Sequence, residues 1–158
     1  MSGLRQKYTF RFGGRKIIFI KKPSESEAHV LGKAVLFALY RDEYPDLTVE
    51  IPVEGKYKPD LVSFDEGGRP RFWAESGTVS RRKVADLLHK YPATHLVFLR
   101  HTLNVDTFAE LVEKACASLP RNRTAPVEII GRPADLSPFI DKKHELSIRR
   151  SDCRVVVL

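Results

Sequence analysis

Residues 58–77 read KPDLVSFDEGGRPRFWAESG, and this stretch decides the fold. Residues 58–64 and 69–75 have the apolar-rich composition of two short strands, and Gly67-Gly68 between them is typical of a two-residue hairpin turn. In the register set by such a turn, Asp60 lies directly opposite Glu75. Their side chains then share one face of the hairpin, with Cβ atoms about 5 Å apart.

Two like charges directly opposite each other destabilise a sheet, so this pair needs a cation, a shared proton or solvent to compensate it. A divalent metal ion is the functional candidate. The structural alternative is that Asp60 and Glu75 are simply two exposed acids on an edge hairpin. The surrounding sequence has to distinguish the two.

Composition predicts one basic domain that spans residues 1–158. The chain carries a net charge of +7, which favours a polyanion such as nucleic acid as partner. No apolar run approaches the roughly 20 residues that cross a bilayer, so we expect a cytoplasmic protein without membrane contact. Cys116 and Cys153 lack neighbours at metal-ligand spacing and are interpreted as ordinary thiols. The oligomeric state is left open.

The remaining pattern predicts an α/β (α+β) protein that opens with a β-hairpin over residues 7–12 and 15–20. A long helix follows, with Ser24 as its N-cap, Glu27 completing a capping box and an end near Tyr40. The later predicted elements are strand 47–53, helix 81–90, strand 95–99, helix 105–119, strand 127–130, a helical turn or loop over 133–140 and strand 153–158.

This order of a long helix, three strands, a helix and a strand, with one acid after proline and a second on the next strand, resembles the PD-(D/E)XK nuclease superfamily. Within it the chain looks most like the YaeQ family. The similarity rests on Pro23-Ser24-Glu25, residues 36–39 (LFAL), Pro59-Asp60-Leu61 and residues 73–77 (WAESG) before a basic helix. It covers about residues 8–100, with 101–158 as a C-terminal extension. The resemblance implies a restriction-endonuclease-like core whose mixed central sheet is flanked by the long helix and a second helix.

The resemblance also implies a metal site. Asp60 would be the central ligand, Glu75 its partner and the backbone carbonyl of Ser76 a possible third oxygen; hard oxygen ligands suit Mg²⁺ or Mn²⁺. Glu25 matches the Pro-Ser-Glu element and could support the metal through water. Its alternative role is structural, since an acid in the first turn of a helix interacts favourably with the helix dipole. Glu27 is the weaker candidate because the predicted capping box already uses it.

The lysine of the superfamily pattern is missing, because Gly77 stands two residues after Glu75. Two relocated cations are considered. Lys83, with Arg82 beside it, could reach back from the following helix and is the first choice as catalytic lysine. Lys58, opposite Gly77 in the hairpin register, is the second. We also expect nucleic-acid contacts from the basic residues Lys58, Arg81 and Arg82.

Other catalytic classes find no support in the sequence. His29 is expected on the polar side of the first helix. The other histidines, His89, His95, His101 and His144, show no pairing typical of a triad or metal cluster, and no Gly-rich phosphate loop follows a strand. Ser76 lacks the Gly-x-Ser-x-Gly elbow of serine hydrolases. The predicted function is therefore a metal-dependent nuclease that uses Asp60, Glu75, Lys83 and Glu25. The alternative is a catalytically inactive nuclease-fold module that binds nucleic acid or a protein partner. The choices of DNA or RNA and of endo or exo cleavage stay open.

Overall fold

The computed structural model describes residues 5–50, 53, 55, 57–120 and 122–158, and the elements below refer to these residues. The helices are α1 (Glu27–Tyr40), α2 (Arg81–Lys90) and α3 (Asp106–Ala117). The strands are β1 (Gln6–Phe12), β2 (Arg15–Lys21), β3 (Thr48–Val49), β4 (Leu61–Phe64), β5 (Pro70–Ser76), β6 (His95–Arg100), β7 (Val127–Gly131) and β8 (Arg154–Val157). Short 3₁₀ turns cover Ser137–Phe139 and Arg150–Asp152.

Strands β3 to β8 form one mixed sheet in the order of the sequence. The β3, β4 and β5 strands are antiparallel, β5, β6 and β7 are parallel, and β8 returns antiparallel at the edge. The parallel part arises because α2 and α3 each cross over between neighbouring strands. The β1-β2 hairpin stands apart as a two-stranded sheet and pairs Phe12 with Arg15, as predicted. The predicted α/β class and mixed sheet are thus confirmed.

Two hydrophobic cores lie on opposite faces of the sheet. One joins α1 and the N-terminal hairpin to the sheet, and the other joins α2 and α3 to it. Side chains alternate between the faces along β5: Phe72 and Ala74 belong to the α1 core, whereas Trp73 belongs to the α2 core. This alternation directs Glu75, two residues beyond Trp73, toward α2.

The central hairpin keeps the predicted register but not the predicted turn. Leu61 pairs with Ala74, which places Asp60 and Glu75 at the next pair of positions. A bulge between Ser63 and Phe64 then shifts the register. The Gly67-Gly68 two-residue turn is wrong, because the Asp65 carboxylate accepts hydrogen bonds from the Gly67 and Arg69 N–H groups and closes a longer loop.

Several predicted boundaries move. Ser26, not Ser24, caps α1 and accepts a hydrogen bond from the His29 N–H at 3.1 Å, so Glu27 is the first helical residue and not part of a capping box. The strand predicted over 58–64 begins only at Leu61, and Asp60 lies just before it. Of the strand predicted over 47–53, residues 51 and 52 lie outside the described part of the chain. No described helix is long and apolar enough to span a bilayer.

Candidate active site

Asp60 and Glu75 meet at the end of the sheet where β4 begins and β5 finishes. Asp60 donates its backbone N–H to the Ala74 carbonyl at 3.1 Å, and its carboxylate accepts the Ser76 N–H at 2.8 Å. These two bonds hold the Asp60 side chain beside β5. The Asp60 and Glu75 side chains are only 14% and 6% exposed, and their carboxyl groups are close enough to hydrogen-bond to each other. The hairpin thus brings together the two acids that the sequence pairs.

The two carboxyl groups differ in how they titrate. Burial, followed by the negative charge of Asp60, raises the pKa of Glu75 to about 7. Burial alone would raise the pKa of Asp60 as well, but hydrogen bonding and the charge of His29 outweigh it and lower that pKa. Asp60 is therefore the anion of the pair and Glu75 the group that takes up a proton near neutrality.

Lys83 supplies a cation to this pair from the opposite layer. Ser80 caps α2 by accepting the Lys83 N–H at 3.1 Å, which fixes the first turn of the helix beneath the end of β5. The Lys83 ammonium then lies 2.7 Å from Glu75 Oε1. Of the lysines considered from the sequence, Lys83 is the one brought to the acids; Lys58 is exposed, as are Arg81 and Arg82.

Glu25 joins the site from the other side, although not as predicted. It lies one residue before the Ser26 cap and not in the first turn of α1. The predicted interaction with the helix dipole therefore does not explain the position of Glu25. Its carboxylate instead accepts the Lys22 N–H at 3.1 Å and contacts the Lys33 ammonium at 2.8 Å. Lys33 is only 1% exposed and is shared with Glu50 at 2.7 Å.

His29 is the site residue that sequence reasoning missed. Its Nε2 atom lies 3.3 Å from Asp60 Oδ1 and 3.4 Å from Glu25 Oε2, so the imidazole links the two carboxylates. The hydrogen bond to Asp60 raises the pKa of His29 against the opposing effect of burial. The contact between Glu25 and His29 could have been predicted from their spacing of four residues. The contact between His29 and Asp60 joins distant parts of the chain, so no local spacing rule predicts it.

Asp60 and Glu75 offer carboxylate oxygens, the ligand type that hard divalent cations prefer. Among the described residues, no group of three or more His, Cys, Asp or Glu side chains is arranged to hold a metal ion. Mg²⁺ commonly binds through one or two carboxylates, with waters and substrate phosphates completing its shell, and Asp60 with Glu75 offers that pair. Their mutual repulsion in a buried place is relieved by a cation. The predicted role of the Ser76 carbonyl stays a prediction.

The protein is thus a mixed α/β protein in which two carboxylates converge at the ends of two inner strands of the sheet. Solved structures that share this fold include two YaeQ proteins. The YaeQ protein from Pseudomonas syringae superposes with a TM-score of 0.59 at 18% identity, covering 93% of this chain and 81% of that one. The YaeQ protein from Xanthomonas axonopodis pv. citri gives a TM-score of 0.53 at 18% identity, covering 80% of this chain and 72% of that one.

These likenesses establish a YaeQ-like fold for this chain, as the sequence motifs predicted. No family profile and no curated protein matches the sequence. At 18% identity the superposition speaks to fold alone. The relation to the PD-(D/E)XK superfamily remains a prediction.

Proposed function

We propose that this protein is a metal-dependent phosphodiesterase of the PD-(D/E)XK type that cleaves nucleic acid. One observation carries the proposal: the half-buried Asp60 and the buried Glu75 lie side by side, and the Lys83 ammonium is 2.7 Å from Glu75 Oε1. Keeping two acidic groups together in a poorly solvated place is costly, because the charge of one opposes the ionisation of the other, and it needs a reason. Cation binding for phosphoryl chemistry is such a reason.

Asp60 and Glu75 would hold Mg²⁺ or Mn²⁺. When bound, the ion supplies neutralisation of phosphate charge and a lowered pKa for water. The chain's own groups prepare the ligands. The Ser76 N–H orients the Asp60 carboxylate, and the Trp73 Nε1–H donates to Glu75 Oε1 at 3.0 Å, so both acids are held in place before any ligand arrives.

Lys83 takes the role of the lysine that Gly77 replaces. Its ammonium is positioned to stabilise the negative charge that develops on the phosphate during hydrolysis. His29 is a candidate proton carrier, because it contacts Asp60 and remains 27% exposed toward solvent. Arg81 and Arg82 are exposed in the first turn of α2, next to Lys83, where they can contact flanking phosphates.

The competing function is a catalytically inactive module that uses the same fold and basic surface to bind nucleic acid or a protein partner. Gly77 in place of the superfamily lysine favours this alternative, and so does the finding that, in the part of the chain that the structure describes, no group of three or more acidic, His or Cys side chains is arranged to hold a metal ion. Such a module would bind nucleic acid with steep salt dependence and would not need Asp60 or Glu75.

Isothermal titration of Mn²⁺, together with a cleavage assay on single- and double-stranded DNA and RNA, tests the proposal. We expect saturable binding and cleavage in the wild type, and loss of both in Asp60→Asn and Glu75→Gln. Asp106→Asn is the matched control, because Asp106 pairs with Arg154 on the exposed surface of the protein. Absence of Mn²⁺ binding to the wild type would overturn the proposal, and retained nucleic-acid binding in all variants would support the module.

A further inference from the structure

An aromatic pocket of about 430 Å³ opens beside the candidate active site. Its volume and mixture of aromatic and polar walls are typical of small-ligand sites. The residues that matter here are Tyr57, Trp73, Asp86, His89, Lys90 and Tyr91.

The pocket and the acid pair share walls. Trp73 lines the pocket and donates its Nε1–H to Glu75 Oε1 at 3.0 Å. Lys83 is placed between them, with its ammonium 2.7 Å from Glu75 and 5.2 Å from the centre of the Tyr57 ring. Trp73 and Lys83 therefore connect the pocket to the site of the two carboxylates.

We propose that this pocket binds a nucleobase of single-stranded nucleic acid, next to the phosphate that the Asp60 and Glu75 site would receive. The placement of that phosphate rests on the proposed function, whereas the base-binding property does not. Aromatic side chains beside a cationic track are the usual means of holding single strands, and a base inside a duplex is not available to such a pocket.

The chemistry of the rim favours a nucleotide over an apolar ligand. Lys90 lines the pocket, and the Lys83 ammonium lies 5.2 Å from the centre of the Tyr57 ring in its wall. Arg81 and Arg82 are exposed at the start of the same helix, so positive charge dominates the approach among the described residues. Asp86, the one acid among the lining residues that the structure describes, accepts the Tyr57 hydroxyl at 2.7 Å. This bond steadies the Tyr57 ring at the mouth, and the carboxylate retains lone pairs that can accept an amino or imino N–H from a base.

Trp73 makes the proposal directly measurable, because it is the one tryptophan of the chain and lies in the pocket wall. A short single-stranded DNA is titrated into the Asp60→Asn variant in the presence of EDTA, so that no metal-dependent cleavage can occur and Glu75, the partner of the Trp73 Nε1–H, is unchanged. We expect saturable quenching of tryptophan fluorescence. The same strand made entirely of abasic sites should leave the fluorescence unchanged, since it offers phosphates but no base.

Variants at Tyr57 test the contact itself. Tyr57→Leu should weaken binding about tenfold, the effect of losing one stacked base, while Tyr57→Phe keeps the ring and should stay within about threefold of the parent. Equal quenching by the abasic strand, or unchanged affinity in Tyr57→Leu, would overturn the proposal. So would binding of a hydrophobic dye in the pocket that the oligonucleotide fails to displace, which would point to an apolar partner.

The two proposals fail separately. Quenching without Mn²⁺ binding or cleavage in the wild type would support the base pocket and reject the nuclease. Cleavage by the wild type without any change in Trp73 fluorescence would support the nuclease and reject the base pocket.

Discussion

Lys83 and Glu75 form an ion pair of 2.7 Å between α2 and the end of β5. The ammonium comes from the helix, and Gly77, two residues after Glu75, offers no side chain of its own. Gly77 has a φ of +93°, a conformation that side-chain-bearing residues avoid. The cation therefore reaches Glu75 from the helix, and its removal should change both the pKa of Glu75 and the rate of the proposed reaction.

We expect Lys83→Met to lower the cleavage rate by about 10²- to 10³-fold, as for the loss of one charge-stabilising donor. Without the ammonium, the pKa of Glu75 should rise above its value of about 7, so half-maximal Mn²⁺ binding should need a higher pH. Lys114→Met, at an exposed position of α3, is the control. Full activity in Lys83→Met would reject the assigned role.

Glu75→Gln should stabilise the metal-free protein at alkaline pH. The native pKa of Glu75, about 7, exceeds the unfolded value near 4.3, so between these values the native state holds a proton that the unfolded chain has lost. Wild-type stability then falls as pH rises through this window and stays lower above it. Glutamine does not titrate, so the free energy of unfolding of Glu75→Gln should exceed that of the wild type by on the order of 2 kcal/mol at pH 8. This gain is smaller than the whole pKa shift of Glu75 implies, because Lys83 loses its partner in the variant.

Urea unfolding at pH 5 and pH 8 without metal measures this difference. The control is Glu110→Gln, an exposed acid on α3. A Glu75→Gln advantage that does not change with pH would show that the carboxyl is not held protonated by its surroundings.

The elements that the sequence predicted well are those specified by neighbouring residues. Helix α2 begins after Ser80 because that hydroxyl and the apolar spacing of Val84, Leu87 and Leu88 give the same answer. The start of α1 was misplaced because both Ser24 and Ser26 can serve as N-cap, and only Ser24 has a Glu three residues on, which favoured the wrong one. Packing decides between them, since the cap at Ser26 leaves Glu25 free to bind Lys33 and His29.

The charged partners of the site were harder to predict. Lys33 lies on the buried side of α1. Its second partner, Glu50, has a backbone φ of +56°, which is a rare conformation for a non-glycine residue. The link between His29 and Asp60 likewise joins segments far apart in the chain. Spacing rules describe one element at a time, so contacts between elements lie beyond them.

Gly77→Ala should destabilise the protein more than Gly14→Ala. Both glycines have positive φ, at +93° and +84°, so each alanine carries a backbone cost of roughly 1–2 kcal/mol. A Cβ at Gly14 meets nothing within 4 Å, whereas one at Gly77 would lie 3.0 Å from His101 Nε2. The extra loss in Gly77→Ala, measured by thermal unfolding, reports this crowding; equal losses would show that His101 moves away freely.

A second charge network lies at the start of β6, at the end of the sheet opposite to the candidate active site. Glu128 accepts hydrogen bonds from Arg150 and from the Tyr40 hydroxyl and contacts His95 Nε2, while the Tyr44 hydroxyl lies 2.8 Å from His95 Nδ1. Burial opposes the charge of Glu128, but the bonds to His95 and Arg150 outweigh it and lower its pKa to about 2.

Glu128→Gln should therefore destabilise the protein by about 3 kcal/mol at pH 7, since it leaves buried partners without their anion. A depressed carboxyl pKa stabilises the native state above the unfolded value near 4.3, and that contribution is lost as pH falls toward 2. The gap between wild type and variant should accordingly shrink on acidification in urea unfolding. Glu43→Gln is the matched control, because Glu43 approaches the same His95 at 3.9 Å but is 60% exposed and should change stability by less than about 0.5 kcal/mol. A gap that persists unchanged to low pH would mean that Glu128 acts through shape and not through charge.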